Sequence, residues 1–145
     1  MPIDRKKYHP QWEKISRFVR LIRARWHCEA CGVRNYAVGR WEEGKWVPLR
    51  GNATADELGR GHCSYRQARN YVAAYNADAA DAGVAKLSVV ILTTAHLDHD
   101  TANNDLENLK ALCQNCHLKH DRKDNAEKRK YGKTGRFYNQ IRLHF

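Results

Sequence analysis

Two residue clusters in this chain have the types and spacing of chemistry. Cys28-x-x-Cys31 and Cys113-x-x-Cys116 form two knuckles, each able to offer two thiolates to one tetrahedral ion, and together they suit a closed, structural zinc site. Disulfides are the rival use, but paired Cys-x-x-Cys units in an intracellular protein more often bind metal or do redox work. Redox work would place one pair at the start of a helix in a thioredoxin-like βαβ pattern, which the sequence lacks. Because residues 32–112 lie between the knuckles, the metal would tie the N-terminal part of the chain to the C-terminal motif. Cys63, beside His62, is left over and reads as a small buried hydrophobe; displacement of a knuckle cysteine by His62 or Cys63 is the alternative.

The second cluster is histidine-rich. Of the 8 histidines, His96, His99, His117 and His120 fall within one short stretch that also holds Asp98, Asp100, Asn108 and Asp121. A lone histidine is usually a core or surface residue, but this grouping has the composition of a hydrolytic metal site. Phosphodiester hydrolysis needs an activated water and charge stabilisation on the phosphate. A neutral imidazole can take the water's proton, and a divalent ion can neutralise the phosphoryl oxygens. If the chain after Cys116 is helical, His117 and Asp121 stand one turn apart with His120 beside them, and His117 would face the strand end that carries His96. Singly, His120 and Asp100 also read as surface groups, and Asn108 as a turn cap.

The elements that must position these groups are legible in part. Trp12, Ile15, Val19, Ile22 and Trp26 recur at helical spacing over residues 10–26, opposite a basic face, and Gly32 can take the left-handed turn of the first knuckle. Residues 36–49 suggest a hairpin around Glu42-Glu43-Gly44-Lys45 that Pro48 interrupts. Ser64-Tyr65-Arg66-Gln67 has the form of a capping box and opens a helix to about Ala82, with Gly83 as its stop. Residues 87–94 read as one buried strand, residues 96–108 as a loop, and residues 109–121 as a knuckle entering a helix.

The chain has 145 residues, enough for one domain, and a net charge of +10 from 26 Lys and Arg against 16 Asp and Glu. The charge concentrates at the two ends, which favours a polyanionic partner over a merely solubilising surface. The longest apolar run is far short of the roughly 20 residues of a membrane span, and the basic N-terminus lacks the pattern of a secretory signal. A cytoplasmic protein without membrane contact is expected.

A Cys-x-x-Cys, a strand ending in His, and then Asn108-Leu109, Leu112-Cys113, Cys116 and His117 in order resemble the HNH (ββα-metal, His-Me finger) family of endonucleases. The likeness covers Cys28 to Cys31 and about residues 89–121. It implies His96 as general base, Asn108 as the residue that orients it and His117 as a ligand of the catalytic cation. Members usually carry Asp or His, a cation ligand, just before the base, where this chain has Ala95. Either Asp98 supplies that ligand from the same face of the strand, or Asp98 and His99 are ligand and base, with His96 a further ligand.

The resemblance implies a small α+β fold with zinc knuckles, preceded by an amphipathic basic helix and containing a helical insertion. Its parts are a basic helix at 1–26, the first knuckle at 27–35, an insertion at 36–86, the HNH core with the second knuckle at 87–121, and a basic arm at 122–145. It further implies a phage-like nuclease that nicks or cuts double-stranded DNA with Mg2+, Mn2+ or a similar ion, as a monomer or homodimer. Arg17, Arg20, Arg23, Lys119, Arg122 and Lys123 are the candidate phosphate contacts. The alternatives are a non-catalytic, zinc-stapled DNA-binding module, an inactivated HNH fold, or an adaptor that binds protein through Trp12, Trp41 and Trp46.

Overall fold

The structure is a computed structural model and describes residues 5–131, so the last part of the predicted basic arm lies outside the described residues. It is a mixed α+β fold with two small antiparallel sheets. After a 3-10 turn at Arg5–Lys7, helix α1 (Trp12–Arg17) runs directly into a π-helical stretch, Phe18–Arg23. The wider turn is visible in the bond from Ala24 N to Val19 O, five residues back. Val19 is fully buried, but Ile22 is 65% exposed, because the π register advances each side chain by less than an α turn and carries Ile22 off the apolar face. The helix therefore ends earlier than the apolar spacing predicts, and Arg25 and Trp26 follow it at positive φ.

Strands β1 (Val38–Glu42) and β2 (Lys45–Pro48) form the predicted hairpin, with Trp41 directly opposite Trp46. Helix α2 (Ala53–Gly59), capped by Asn52 Oδ1 on Ala55 N, has no counterpart among the elements expected from the sequence. Helix α3 (Tyr65–Ala82) starts with the Ser64/Gln67 capping box and stops at Gly83 in the left-handed conformation, as the sequence predicts.

The single strand expected at 87–94 is a correction. Its two ends belong to different sheets: β3 (Ser88–Val89) pairs with β1, and β4 (Thr93–His96) pairs with β5 (Leu109–Leu112). Side-chain amides serve the backbone between them, since buried N–H and C=O groups must find partners. Gln114 accepts from Ile91 N and donates to Val89 O, and the buried Asn35 accepts from Leu92 N. Asn76 of α3 makes both bonds to Leu87 in the same way.

Helix α4 (Gln114–Tyr131) follows β5 at once, so β4, β5 and α4 form a hairpin followed by a helix. The two faces of this hairpin are used differently. Thr94 hydrogen-bonds to Ser16, while Leu109 and Ala111 pack on Val19, so that face meets α1 and its π extension. Thr93 meets His117 of α4, and Ala95 and Leu112 enter a core with Cys28, Val33, Leu92 and Cys113. Trp41 and Trp46 close that core from outside, so part of the predicted insertion packs directly against the knuckles.

Candidate metal centres

The four knuckle cysteines come together. One sulfur from each of Cys28, Cys31, Cys113 and Cys116 lies within 4.8 Å of the others, with Cys31 Sγ and Cys113 Sγ 3.8 Å apart. Backbone amides point at the sulfurs: Cys113 N donates to Cys28 Sγ and Cys116 N to Cys113 Sγ. Gly32, at φ +80°, turns the first knuckle, and β5 delivers the second to the start of α4. Hydrogen bonding from Cys113 draws the Cys28 thiol down to about 4, and the same contact pushes Cys113 up. Burial pushes Cys116 up to about 11. This four-cysteine set is geometrically compatible with a structural metal such as zinc. Cys63 is elsewhere, half-buried in the core under α3, with its thiol raised by burial.

A second cluster forms where the loop after β4 meets α4. His99 is held at φ +60° by the turn that bonds its N–H to His96 O. Its Nδ1 lies 3.5 Å from Asp121 Oδ1 and 4.0 Å from Asp124 Oδ2. Asp121 also receives His117, with Nε2 3.1 Å from Oδ2, while the other nitrogen of His117 is 2.7 Å from Thr93 Oγ1. The His99 and His120 rings stack with centroids 4.9 Å apart, and His120 Nε2 is buried without a hydrogen-bond partner among the described residues. Donor atoms of His99, His120 and Asp121 all lie within 4.8 Å of one another, so they could share one ion.

The remaining candidates are not brought to this point. His96 is only 7% exposed and faces α1, because it alternates with Ala95 along β4. Its ring stacks on Trp12 at 4.7 Å, lies against Tyr8, and gives its Nε2 hydrogen to Asn104 Oδ1. His117 accordingly faces Thr93 at the start of β4 rather than His96 at its end. Asp98 does not share a strand face with His96, since β4 stops at His96. Its carboxylate instead accepts from Asn103 Nδ2, Asp100 N and Asn108 Nδ2, bonds that draw it down to about 2. Asn108 also donates to Asn103 O and accepts from Asp98 N, so it braces the loop that presents His99.

The basic candidates divide similarly. Arg17, Arg122 and Lys123 are exposed. Arg20 bonds back to Ser16 O, and Arg23 is spent on Glu29 and on the carbonyls of Leu106 and Leu109, tying the π stretch to β5. Lys119 stands over the β1–β2 hairpin.

Asp124 escaped the sequence reading, and His120 and Asp121 were placed beside His117 without a role in the site, although the signal was there. His117, His120, Asp121 and Asp124 fall at i, i+3, i+4 and i+7, one face of a helix. Among the described residues no helix is long and apolar enough to cross a membrane. The fold and its centres define a mixed α+β protein with a metal-compatible cluster of four cysteines. Comparisons with protein families, with curated proteins and with solved structures return no match to this chain.

Proposed function

We propose that this protein is a metal-dependent DNA endonuclease of the HNH type, stapled by zinc at Cys28, Cys31, Cys113 and Cys116. The observation that carries the reading is the meeting of His99, from the hairpin loop, with His117, His120 and Asp121 on α4. A hairpin and helix converging on histidines and a carboxylate suits hydrolysis of a phosphodiester, and a net charge of +10 suits a nucleic acid.

In this reading Asp121 and His120 hold a divalent cation such as Mg2+ or Mn2+, joined by His117, whose Nε2 reaches Asp121 Oδ2. His99, whose donor atom also lies within 4.8 Å of those of His120 and Asp121, serves as the general base instead of a ligand. The choice of His99 over His96 rests on surroundings. Two carboxylates flank His99 Nδ1, while its Nε2 carries no hydrogen bond among the described residues and can take a proton from water. His96 has its Nε2 engaged and its ring covered by Trp12. Asn108 positions the base indirectly, by bracing the loop. The cation, when bound, supplies charge stabilisation to the phosphoryl oxygens. Histidine ligands suit Mn2+ and similar borderline ions better than Mg2+.

The test is cleavage of supercoiled plasmid by the zinc-loaded protein with Mg2+ or Mn2+, together with Mn2+ binding followed by electron paramagnetic resonance. His99→Ala is expected to keep Mn2+ binding and lose cleavage, and His120→Ala and Asp121→Asn to lose both. A second reading, a DNA-binding module without cleavage, draws on one feature. Ala95 is 3% exposed in the core, so no ligand can arise from the position before His96. Salt-sensitive DNA binding with no cleavage under either ion would select it.

A further inference from the structure

The side of α4 turned away from the histidine cluster carries a cleft of its own. Around a helix at roughly 100° per residue, Lys119 lies about 160° from both His117 and Asp121. It borders a cavity of about 440 Å³ between the start of α4, the first knuckle and the β1–β2 hairpin. Trp41 and Trp46 line one side as a cross-strand pair, ring centroids 4.5 Å apart and planes inclined by 59°. Lys45 comes from the hairpin and Lys119 from α4, where its Nζ reaches to 3.9 Å from the position a Gly44 Cβ would take. Asn115, one turn before Lys119, donates to Gly44 O at 3.4 Å and ties the hairpin turn to the helix.

These groups match one class of ligand. Indole rings offer flat apolar surface for a base, two ammonium groups offer charge for phosphate, and the Asn115 amide offers a polar edge. No carboxylate lines the cleft, and no ion pair among the described residues engages Lys45 or Lys119. The nearby Glu42 is turned to Arg40. The volume falls in the range of about 300–1,000 Å³ usual for small-ligand sites. A duplex hides the faces of its bases, whereas a single strand exposes them.

We propose that this cleft binds an unpaired nucleotide of a nucleic acid strand, the base on Trp41 and Trp46 and its phosphates on Lys45 and Lys119. The site is separate from the cation centre and does not rest on the nuclease reading; a protein that binds without cleaving would use it equally.

The test uses the full chain, zinc-loaded, with 5-fluorotryptophan at all four tryptophans and no added divalent ion, so that cleavage plays no part. Fluorine resonances are assigned with Trp41→Phe and Trp46→Phe, and the protein is titrated with a single-stranded thymidylate decamer, a duplex of equal length, and thymidine monophosphate. The single strand is expected to shift the Trp41 and Trp46 resonances and leave Trp12 and Trp26 in place. Lys45→Gln with Lys119→Gln, both on the surface, should weaken single-strand binding about 10- to 30-fold at 0.1 M salt, the effect of losing two phosphate contacts. Unmoved Trp41 and Trp46 resonances at saturation would overturn the proposal, as would equal shifts with the duplex, monophosphate binding as tight as the decamer's, or unchanged affinity in the lysine variant.

Discussion

Replacing His96 and His99 separately should separate stability from chemistry. His96 is enclosed, stacks on Trp12 and donates to Asn104, so His96→Ala removes a hydrogen bond and an aromatic contact together. The bond contributes about 1 kcal/mol and the stack about 0.5–1.5 kcal/mol. With some cavity cost, the loss comes to about 2–3 kcal/mol, or a fall in Tm on the order of 6–12 °C for a chain of this size. His99 is 35% exposed and its contacts are with other polar side chains, so His99→Ala should change stability by about 0.5 kcal/mol or less. In the proposed reading His99 is the base, and its loss should slow cleavage about 10²- to 10⁴-fold. Calorimetry and initial nicking rates, taken well below both melting points, give the two axes. His96→Phe is the control, since it keeps a ring against Trp12 and has no basic nitrogen. If folded His96→Phe is slowed a hundredfold while His99→Ala still cuts, the assignment of the base is wrong.

Three further outcomes are expected. Gly39→Ala should destabilise the hairpin by about 1–3 kcal/mol, because a Cβ there would stand 2.3 Å from Val47 O and 2.9 Å from Pro48 Cα; an unchanged denaturation midpoint would contradict the close β1–β2 approach. Cys63, whose thiol is raised by burial, should be alkylated by iodoacetamide more slowly in the native protein at pH 8 than in the unfolded chain. Its preference for the protonated form also makes it a stabilising group that weakens as pH rises past the ordinary thiol value, and equal alkylation rates would refute its burial. Native mass spectrometry should find one zinc per chain, lost in Cys113→Ser, and that variant should also lose Mn2+ binding at the histidines; Mn2+ affinity unaltered by zinc loss would show the two centres to be independent.

How much of this was legible in the sequence varied with the kind of signal. The capping box at Ser64 and the stop at Gly83 are local chemistry, and both ends of α3 stand where they place them. Cysteine spacing is nearly as local, because each Cys-x-x-Cys turns its two sulfurs toward one point, and the four sulfurs do gather. The run from Leu87 to Thr94 misled because β-branched composition reports extended backbone but not its partners. Asn35 and Gln114, distant in sequence, are what let the chain leave one sheet and enter the other. The site was harder for a related reason. Strand period places His96 and Thr94 on one face and Thr93 and Ala95 on the other, yet only the packing of α1 decides which face is covered. Ile22 shows the same limit: an α-helical period cannot foretell a π turn that rotates a residue into solvent.

The two centres share no ligand, yet their elements are common. Cys116 and His117 are adjacent in α4, and the backbone that carries Cys113 also accepts the N–H of His117. Cys28 is held to Val33 O, and the neighbouring Glu29 binds Ala111 through both its backbone N–H and its carboxylate, so the first knuckle is stitched to β5. Freeing the cysteines would therefore loosen the joint between β5 and α4, and with it the distance from the His99 loop to Asp121. Coupling between two binding sites is reciprocal in free energy, so Mn2+ must favour zinc binding by the same amount that zinc favours Mn2+. The visible effects differ because structural zinc binds with about 10–16 kcal/mol, and a coupling of about 1–3 kcal/mol leaves such a site full. A weakly held cation at exposed histidines has no such reserve. In the proposed reading the zinc site thus supports the reacting centre, while occupancy of that centre leaves zinc undisturbed.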